Sequence, residues 1–198
     1  VLSTHTGGFT GFTYRDLTED MLPMAEHWKS IGLKFQALYS GFLGSVGQIG
    51  IVEQIFDWFR EKDTLILVDP VMGDGGKLYQ TYTQEMADGM ARLCRKADIV
   101  VPNMTEACHL LGRPYNPGPY TRQEIREILE SLCALGPKMA VLTGVWVKEG
   151  TLGTACYDSS IGEAHLYLTD RIEGFYHGTG DLFASALLGA LLNGASLK

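Results

Sequence analysis

Two rhythms of apolar residues alternate along the chain: a three-to-four spacing and short unbroken runs. Met21, Ala25, Trp28 and Ile31 are spaced for a helix over Asp20 to Ile31, with Pro23 in its first turn, where proline is tolerated, and Gly32 at its end. Phe35 to Tyr39 predicts a strand closed by Ser40-Gly41, after which Gly44-Ser45 opens a helix to about Arg60 with Ile49, Val52, Phe56 and Phe59 on its inner face. Leu65-Ile66-Leu67-Val68 is wholly apolar, as suits a strand buried on both faces of a parallel sheet. Gln84 to Lys96 is helical, Ile99-Val100-Val101 is a second buried strand, and Thr105 to Leu111 is a short helix closed by Gly112. Arg113 to Tyr120, rich in proline, is a surface loop. Thr121 and Glu124 form a capping box ahead of a helix carrying Ile125, Ile128, Leu129, Leu132 and Cys133, stopped at Gly136-Pro137. Met139 to Leu142 is a strand ending at Thr143-Gly144, and Thr154–Tyr157 with Ala164–Leu168 predicts a hairpin around Asp158-Ser159-Ser160.

Short apolar strands alternating with helices predict a mainly parallel sheet covered on both faces, with right-handed crossovers. Ligands of such sheets bind beyond the carboxyl ends of the strands. Polar clusters fall at those ends: Asp69-Pro70, Pro102-Asn103, Thr143-Gly144 and the loop His177-Gly178-Thr179-Gly180-Asp181.

Composition narrows the classes. With 198 residues the chain is most simply one domain, and its formal net charge of -7, without any lysine- or arginine-rich run, argues against nucleic acid as a partner. Cys94, Cys108, Cys133 and Cys156 form no CxxC pair, so free thiols in a reducing cytoplasm are expected. The longest apolar run, Leu182 to Leu192, is too short to span a bilayer and is apolar nearly all round, which predicts a helix buried on both sides. The first residue is Val1, within a strand, and the last residues follow the apolar helix closely; segments beyond both ends are expected.

The glycine loop is the first candidate for chemistry. Gly178 and Gly180 can turn backbone N–H groups inward at the start of a helix, whose first N–H groups lack internal partners and whose dipole favours anions. An acid there, Asp181, can serve as base towards a hydroxyl that attacks phosphorus; read alone, the pentapeptide favours a glycine turn with a helix-capping Asp, because short glycine motifs are common. Asp69 and Asp74 bracket Pro70-Val71-Met72-Gly73 and offer hard oxygens suited to Mg²⁺, or else a turn cap and a solvated acid. Asn103 and Glu106 stand three residues apart at a helix start and so share a direction; they can orient phosphates and hold a metal-bound water, although in isolation a capped helix with an acid in its first turn is the reading the pair favours. His5-Thr6-Gly7-Gly8 places an imidazole and a hydroxyl on a glycine loop.

Taken together, His177-Gly178-Thr179-Gly180-Asp181, Asp69-Pro70-Val71-Met72-Gly73-Asp74 and Pro102-Asn103-x-x-Glu106 resemble the ribokinase-like superfamily in order and spacing. The His-Thr-Gly loop at Ser3-Thr4-His5-Thr6-Gly7 makes the resemblance closer to its pyridoxal (vitamin B6) kinases, and it runs through nearly the whole chain. The resemblance implies a three-layer α/β/α ribokinase-like fold with a mainly parallel central sheet, formed by a single domain over 1–198 without the family's N-terminal strand region and C-terminal helix. It implies ATP-dependent phosphorylation of the 5′-hydroxymethyl group of pyridoxal, pyridoxine or pyridoxamine. Asp181 would be the base and Gly178, Thr179 and Gly180 the anion hole. Thr6, His5, Phe42 and Asp181 would meet the B6 substrate; Asn103, Glu106, Thr143 and Tyr79 would line ATP; Asp69, Asp74 and Glu106 would serve the Mg²⁺ site. A monovalent cation, K⁺ or Na⁺, and a cytoplasmic homodimer without nucleic-acid or membrane partners complete the expectation.

Thr4 replaces the family's common Asn, and Phe42 stands where many members carry Tyr, so that contact with the pyridine ring would be apolar only. The nearest alternative is a hydroxymethylpyrimidine kinase of thiamine synthesis, whose members usually carry Cys in place of Asp181. A sugar or nucleoside kinase comes third. From another class, a catalytically silent B6- or nucleotide-binding protein is opposed by retention of Asp181 and the acid set.

Overall fold

The computed structural model describes residues 2–4, 10–174 and 176–197. The chain runs through β1 (Leu2–Ser3), β2 (Tyr14–Arg15), α1 (Thr18–Ser30), β3 (Ala37–Ser40), α2 (Val46–Phe59), β4 (Leu65–Val68), β5 (Gly73–Asp74) and β6 (Lys77–Leu78). It continues through α3 (Gln84–Arg95), β7 (Ile99–Val100), α4 (Met104–Leu111), α5 (Arg122–Ala134), β8 (Met139–Val145), β9 (Thr151–Asp158), β10 (Glu163–Asp170) and α6 (Thr179–Leu192). Six strands form the central sheet in the order β10-β9-β8-β7-β4-β3. β3, β4, β7 and β8 are parallel, in the register Leu67↔Ile99 and Ile99↔Met139; β9 and β10 add antiparallel.

Strand alternation divides the core into two layers. Ile66 and Val68 of β4, Val100 of β7 and Ala140 and Leu142 of β8 face a cluster built with Ile49, Val52 and Phe56 of α2, Met90 and Leu93 of α3, and Leu129 and Leu132 of α5. Leu67, Ile99, Val101, Val141 and Cys156 face the other way, towards Ala184, Phe183, Leu187 and Leu191 of α6. The arrangement is helix, sheet, helix, as expected for strands apolar on both faces. Ile125, Leu129 and Leu132 of α5 are almost wholly buried, each contributing about 1.5–3 kcal/mol of burial. Capping fixes where the helices begin. Ser45 Oγ accepts the Gln48 N–H at 3.2 Å, and Thr121 and Glu124 close a reciprocal box at α5.

The structure departs from the sequence reading in four places. α1 begins at Thr18, where Asp16 Oδ1 accepts the Thr18 N–H at 2.8 Å, so Pro23 sits in the second turn rather than the first. β8 continues through Thr143-Gly144 to Val145, because Gly144, at φ +69°, takes up a register shift that a non-glycine residue would resist. β1 pairs with β2 outside the main sheet, and the Gly75-Gly76 turn joins a second small hairpin, β5–β6. α6 is not buried on both sides: only Ala184 is fully covered, while Leu182 is 71% and Leu192 45% exposed. No helix among the described residues is long and apolar enough to cross a membrane, and Cys94, Cys108, Cys133 and Cys156 are free.

Candidate active site

The carboxyl ends of the four parallel strands converge. Asp69 follows β4 directly and its N–H donates to the Ser40 carbonyl at the end of β3, at 2.8 Å. After β7, the Val101 N–H donates to the Val68 carbonyl at 3.0 Å. Asn103 makes a parallel bridge with Thr143 of β8, whose N–H donates to the Pro102 carbonyl at 3.0 Å. The start of α6 arrives beside these ends: a methyl group placed on Gly180 would meet Asp69 Oδ2 at 3.8 Å, and one placed on Gly41 would meet Asp181 Oδ1 at 3.8 Å. Thus β3, β4 and α6 bring Asp69 and Asp181 to one spot.

Asn103 and Glu106 do a specific structural job. Asn103 Oδ1 accepts the Glu106 N–H at 2.9 Å while Glu106 Oε2 accepts the Asn103 N–H at 2.8 Å, a capping box at α4. Glu106 Oε1 also accepts the Met72 N–H at 3.1 Å, and Asn103 Nδ2 donates to the Gly73 carbonyl at 2.9 Å. The pair therefore fastens the segment after Asp69 to the start of α4. Thr105 Oγ1 accepts the Gly76 N–H at 2.9 Å and holds the β5–β6 turn in the same way.

Burial makes these acids reluctant to ionise. Asp69 is 6% exposed, and burial first, then the charge of Asp181, pushes its carboxyl up to about 7. Glu106 is 4% exposed, and burial followed by the charge of Asp69 raises it to about 8, against the pull of its backbone N–H donors. Tyr39, on β3, is raised by burial and by Asp69 and Asp181. Its hydroxyl is buried and makes no hydrogen bond of ordinary geometry, although Asp181 lies beside it.

The structure brings together Asp69, Asp181, Gly178, Thr179 and Gly180 at one edge, with Asn103, Glu106 and Thr143 lining the neighbouring strand ends. Gly178, at φ +82°, precedes α6 in the left-handed conformation that glycine permits, and no side chain caps the helix. The Thr179 hydroxyl donates back to the Tyr176 carbonyl at 3.0 Å. Phe42 is 38% exposed. Tyr79 and Asp74 lie on the β5–β6 hairpin side and face solvent; the Asp74 carboxylate accepts the Gly75 N–H at 2.8 Å. Among the described residues no group of three or more His, Cys, Asp or Glu side chains is arranged to hold a metal ion, so Asp69, Asp74 and Glu106 do not form a ready-made triad. His5 and Thr6 lie outside the described residues. Tyr39 escaped the sequence reading, since a tyrosine within an apolar strand reads as core; only the neighbouring Ser40-Gly41 marks it as the last residue before a strand end.

The sequence pattern of the phosphomethylpyrimidine kinase family matches residues 31–198. The chain belongs to that family. Among similar solved structures within reach of this kinase family, a Bacteroides thetaiotaomicron VPI-5482 protein assigned as a phosphomethylpyrimidine kinase, crystallised with pyridoxal, is 36% identical with a TM-score of 0.93, over 98% of this chain and 68% of its own. Pyridoxal kinase from Lactobacillus plantarum is 33% identical with a TM-score of 0.86, over 98% of this chain and 67% of its own. Pyridoxal kinase of Arabidopsis thaliana is 28% identical over 167 residues, 79% of this chain and 51% of that protein. The chain thus spans about half the length of that curated relative. The fold is that of the ribokinase-like kinases the motifs resemble.

Proposed function

We propose that this kinase-family chain transfers the γ-phosphoryl group of ATP to the 5′-hydroxymethyl oxygen of a B6 vitamer, acting as one ribokinase-like domain. The observation that carries the reading is the meeting of Asp181, in the first turn of an α6 without a side-chain cap, with the buried Asp69 at the carboxyl end of β4. Pyridoxal bound to a relative 36% identical to this chain supports the acceptor class, and relatives named pyridoxal kinase point the same way.

Phosphoryl transfer asks mainly for positioning and charge neutralisation. Asp181 accepts the proton of the hydroxymethyl group as its oxygen attacks the γ-phosphorus; the bond from that phosphorus to the bridging oxygen breaks and ADP leaves. The N–H groups at the start of α6 face the charge that develops on the transferring group, where preorganised donors lower the barrier most. Phe42 presents an apolar face to the pyridine ring, with Thr6 and His5 expected on its polar edge. Asn103, Glu106, Thr143 and Tyr79 border the nucleotide side. The donor set fits Mg²⁺ through Asp69 and Asp74, hard oxygens on either side of the β4–β5 turn, rather than through a three-acid cage. When bound, Mg²⁺ supplies charge neutralisation at the phosphates. Glu106, with both oxygens already accepting N–H groups, keeps a second lone pair on each for a water. The homodimer, the K⁺ or Na⁺ site and the cytoplasmic setting rest on the resemblance.

The second reading, phosphorylation of a hydroxymethylpyrimidine, is favoured by the family pattern itself. A single assay separates the two: the natural full-length protein with ATP and Mg²⁺, offered pyridoxal, pyridoxine, pyridoxamine, hydroxymethylpyrimidine and ribose. The highest kcat/KM is expected on a B6 vitamer; a preference for hydroxymethylpyrimidine or ribose would overturn the substrate assignment, and no turnover on any acceptor would favour a binding protein.

A further inference from the structure

Among the described residues, Tyr39 carries a buried polar group at the strand ends that neither the motifs nor the proposed reaction employs. Its ring is packed on the α6 side of the sheet, against the layer of Leu67, Ile99 and Val101. That packing aims the hydroxyl past the end of β3. There the hydroxyl is closed off from solvent and has no hydrogen bond of ordinary length and angle, although Asp181 lies close enough to act on it. A methyl group on Gly41 would lie 3.5 Å from the Tyr39 oxygen and 3.8 Å from Asp181 Oδ1, so the two oxygens flank the same point.

Buried hydroxyls in native proteins almost always find a partner. The phenol is neutral and has one proton to give; a carboxylate has only acceptors. Asp181 sits on the exposed first turn of α6, where its side chain has rotational freedom that Tyr39, half-buried and packed against the core, does not have. A small rotation of the carboxylate therefore completes a hydrogen bond from Tyr39 and leaves its other oxygen facing outwards. Ser40, next along the strand, also has a buried hydroxyl without a partner, but as the adjacent strand residue it projects to the opposite face of the sheet.

We propose that Tyr39 is a positioning residue that donates its hydroxyl proton to one oxygen of Asp181 and so holds the other towards the substrate hydroxyl. This rests on the kinase reading for its catalytic consequence, but the hydrogen bond itself does not. Tyr39 touches no reacting atom. Its contribution passes through Asp181, and a positioned carboxylate gains from orientation rather than from tighter substrate binding.

The test uses the natural full-length protein. Tyr39→Phe keeps the ring and removes the donor. A hydrogen bond to a charged group corresponds to roughly a tenfold effect or more. We expect kcat on the preferred acceptor to fall about tenfold, with KM for ATP and acceptor within about twofold of the parent. In an Asp181→Asn background the same substitution should add almost nothing, since there is no base left to orient. An unchanged kcat for Tyr39→Phe, or an undiminished effect on top of Asp181→Asn, overturns the proposal. A second measurement does not depend on activity or on the folding of Tyr39→Phe. With [¹³Cζ]tyrosine, the Tyr39 resonance should move when Asp181 is changed to Ala, and an unmoved resonance overturns the hydrogen bond. If the parent phosphorylates no acceptor, the functional reading fails, while the resonance still decides the role of Tyr39.

Discussion

Replacing Glu106 distinguishes a structural clamp from a metal ligand. In Glu106→Ala two N–H groups lose their acceptor: Met72, whose residue is completely buried, and Asn103 at the start of α4. Leaving a buried donor unsatisfied costs about 1–3 kcal/mol each, or roughly 2–6 kcal/mol for the pair. Part of this is offset because the Glu106 carboxyl is itself disfavoured by burial and by the charge of Asp69, so a loss of about 3 kcal/mol, within that range, is expected. For a domain of this size each kcal/mol moves Tm by about 2–4 °C, so a fall of roughly 6–12 °C is expected. Glu106→Gln keeps one carbonyl-type acceptor and should lose about half as much. Urea denaturation and thermal melting of the full-length protein in excess EDTA measure both variants without any contribution from Mg²⁺. If Glu106→Ala stays within about 1 kcal/mol of the parent in EDTA, yet raises the Mg²⁺ concentration needed for half-maximal turnover, Glu106 acts on the cation and the clamp is wrong; that limit is below the cost of one orphaned N–H of average size.

Asp181→Asn should lower kcat by about 10²–10⁴ with ATP affinity close to the parent and Tm no lower than the parent's, because Asn retains the shape of the helix start and removes the charge facing Asp69; near-parent kcat would show Asp181 to be a cap. Asp69 at about 7 and Glu106 at about 8 both sit above their unfolded values, so the folded chain holds extra protons between about pH 4 and 8. Their contribution to stability is full below the unfolded pKa values and is lost as pH rises through 7 and 8, so the urea midpoint should fall over that window and fall less steeply in Asp69→Asn; a midpoint that climbs instead would contradict the burial of these acids. Gly73→Ala would set a Cβ 2.3 Å from the Lys77 carbonyl oxygen, forcing β5 and β6 apart and displacing the carbonyl that Asn103 holds. A loss of about 1–3 kcal/mol is expected from such overpacking, and a parent-like melting curve would mean that the hairpin is looser than described.

The layers and most element types were legible because the strands are apolar on both faces and the helices carry their own stop and start signals. Leu65–Val68 and Ile99–Val101 read as buried strands, and Thr121/Glu124 as a box opening a helix. The position of Asp69 and Asp181 at converging ends followed from that pattern. What sequence could not supply was three-dimensional partnership. Asn103-x-x-Glu106 reads in isolation more readily as a cap than as a ligand pair, and the contact that makes it a clamp, Glu106 with the Met72 N–H, crosses from α4 to a turn 34 positions away. The continuation of β8 through Gly144 was hidden because glycine signals a bulge and a strand end alike. The exposure of Leu182 and Leu192 was hidden because an apolar helix says what it prefers to touch, and not what it touches.

The mixed direction of the sheet sets the order in which the site can come into being. β8, β9 and β10 follow one another in the chain and pair by hairpins, which form through short loops on a fast timescale. β3, β4 and β7 enter the sheet only after helical crossovers have closed, and α6 must then return across the opposite face to meet β4. Asp69 and Asp181 are therefore strangers until nearly the whole chain is in place. Their mutual repulsion burdens the finished fold far more than the ascent to it. Neutralising one of them should slow the escape from the native state while leaving the rate of arrival almost untouched, the behaviour of contacts that lie beyond the folding barrier. The two acids would then loosen the protein only after they have become useful to it.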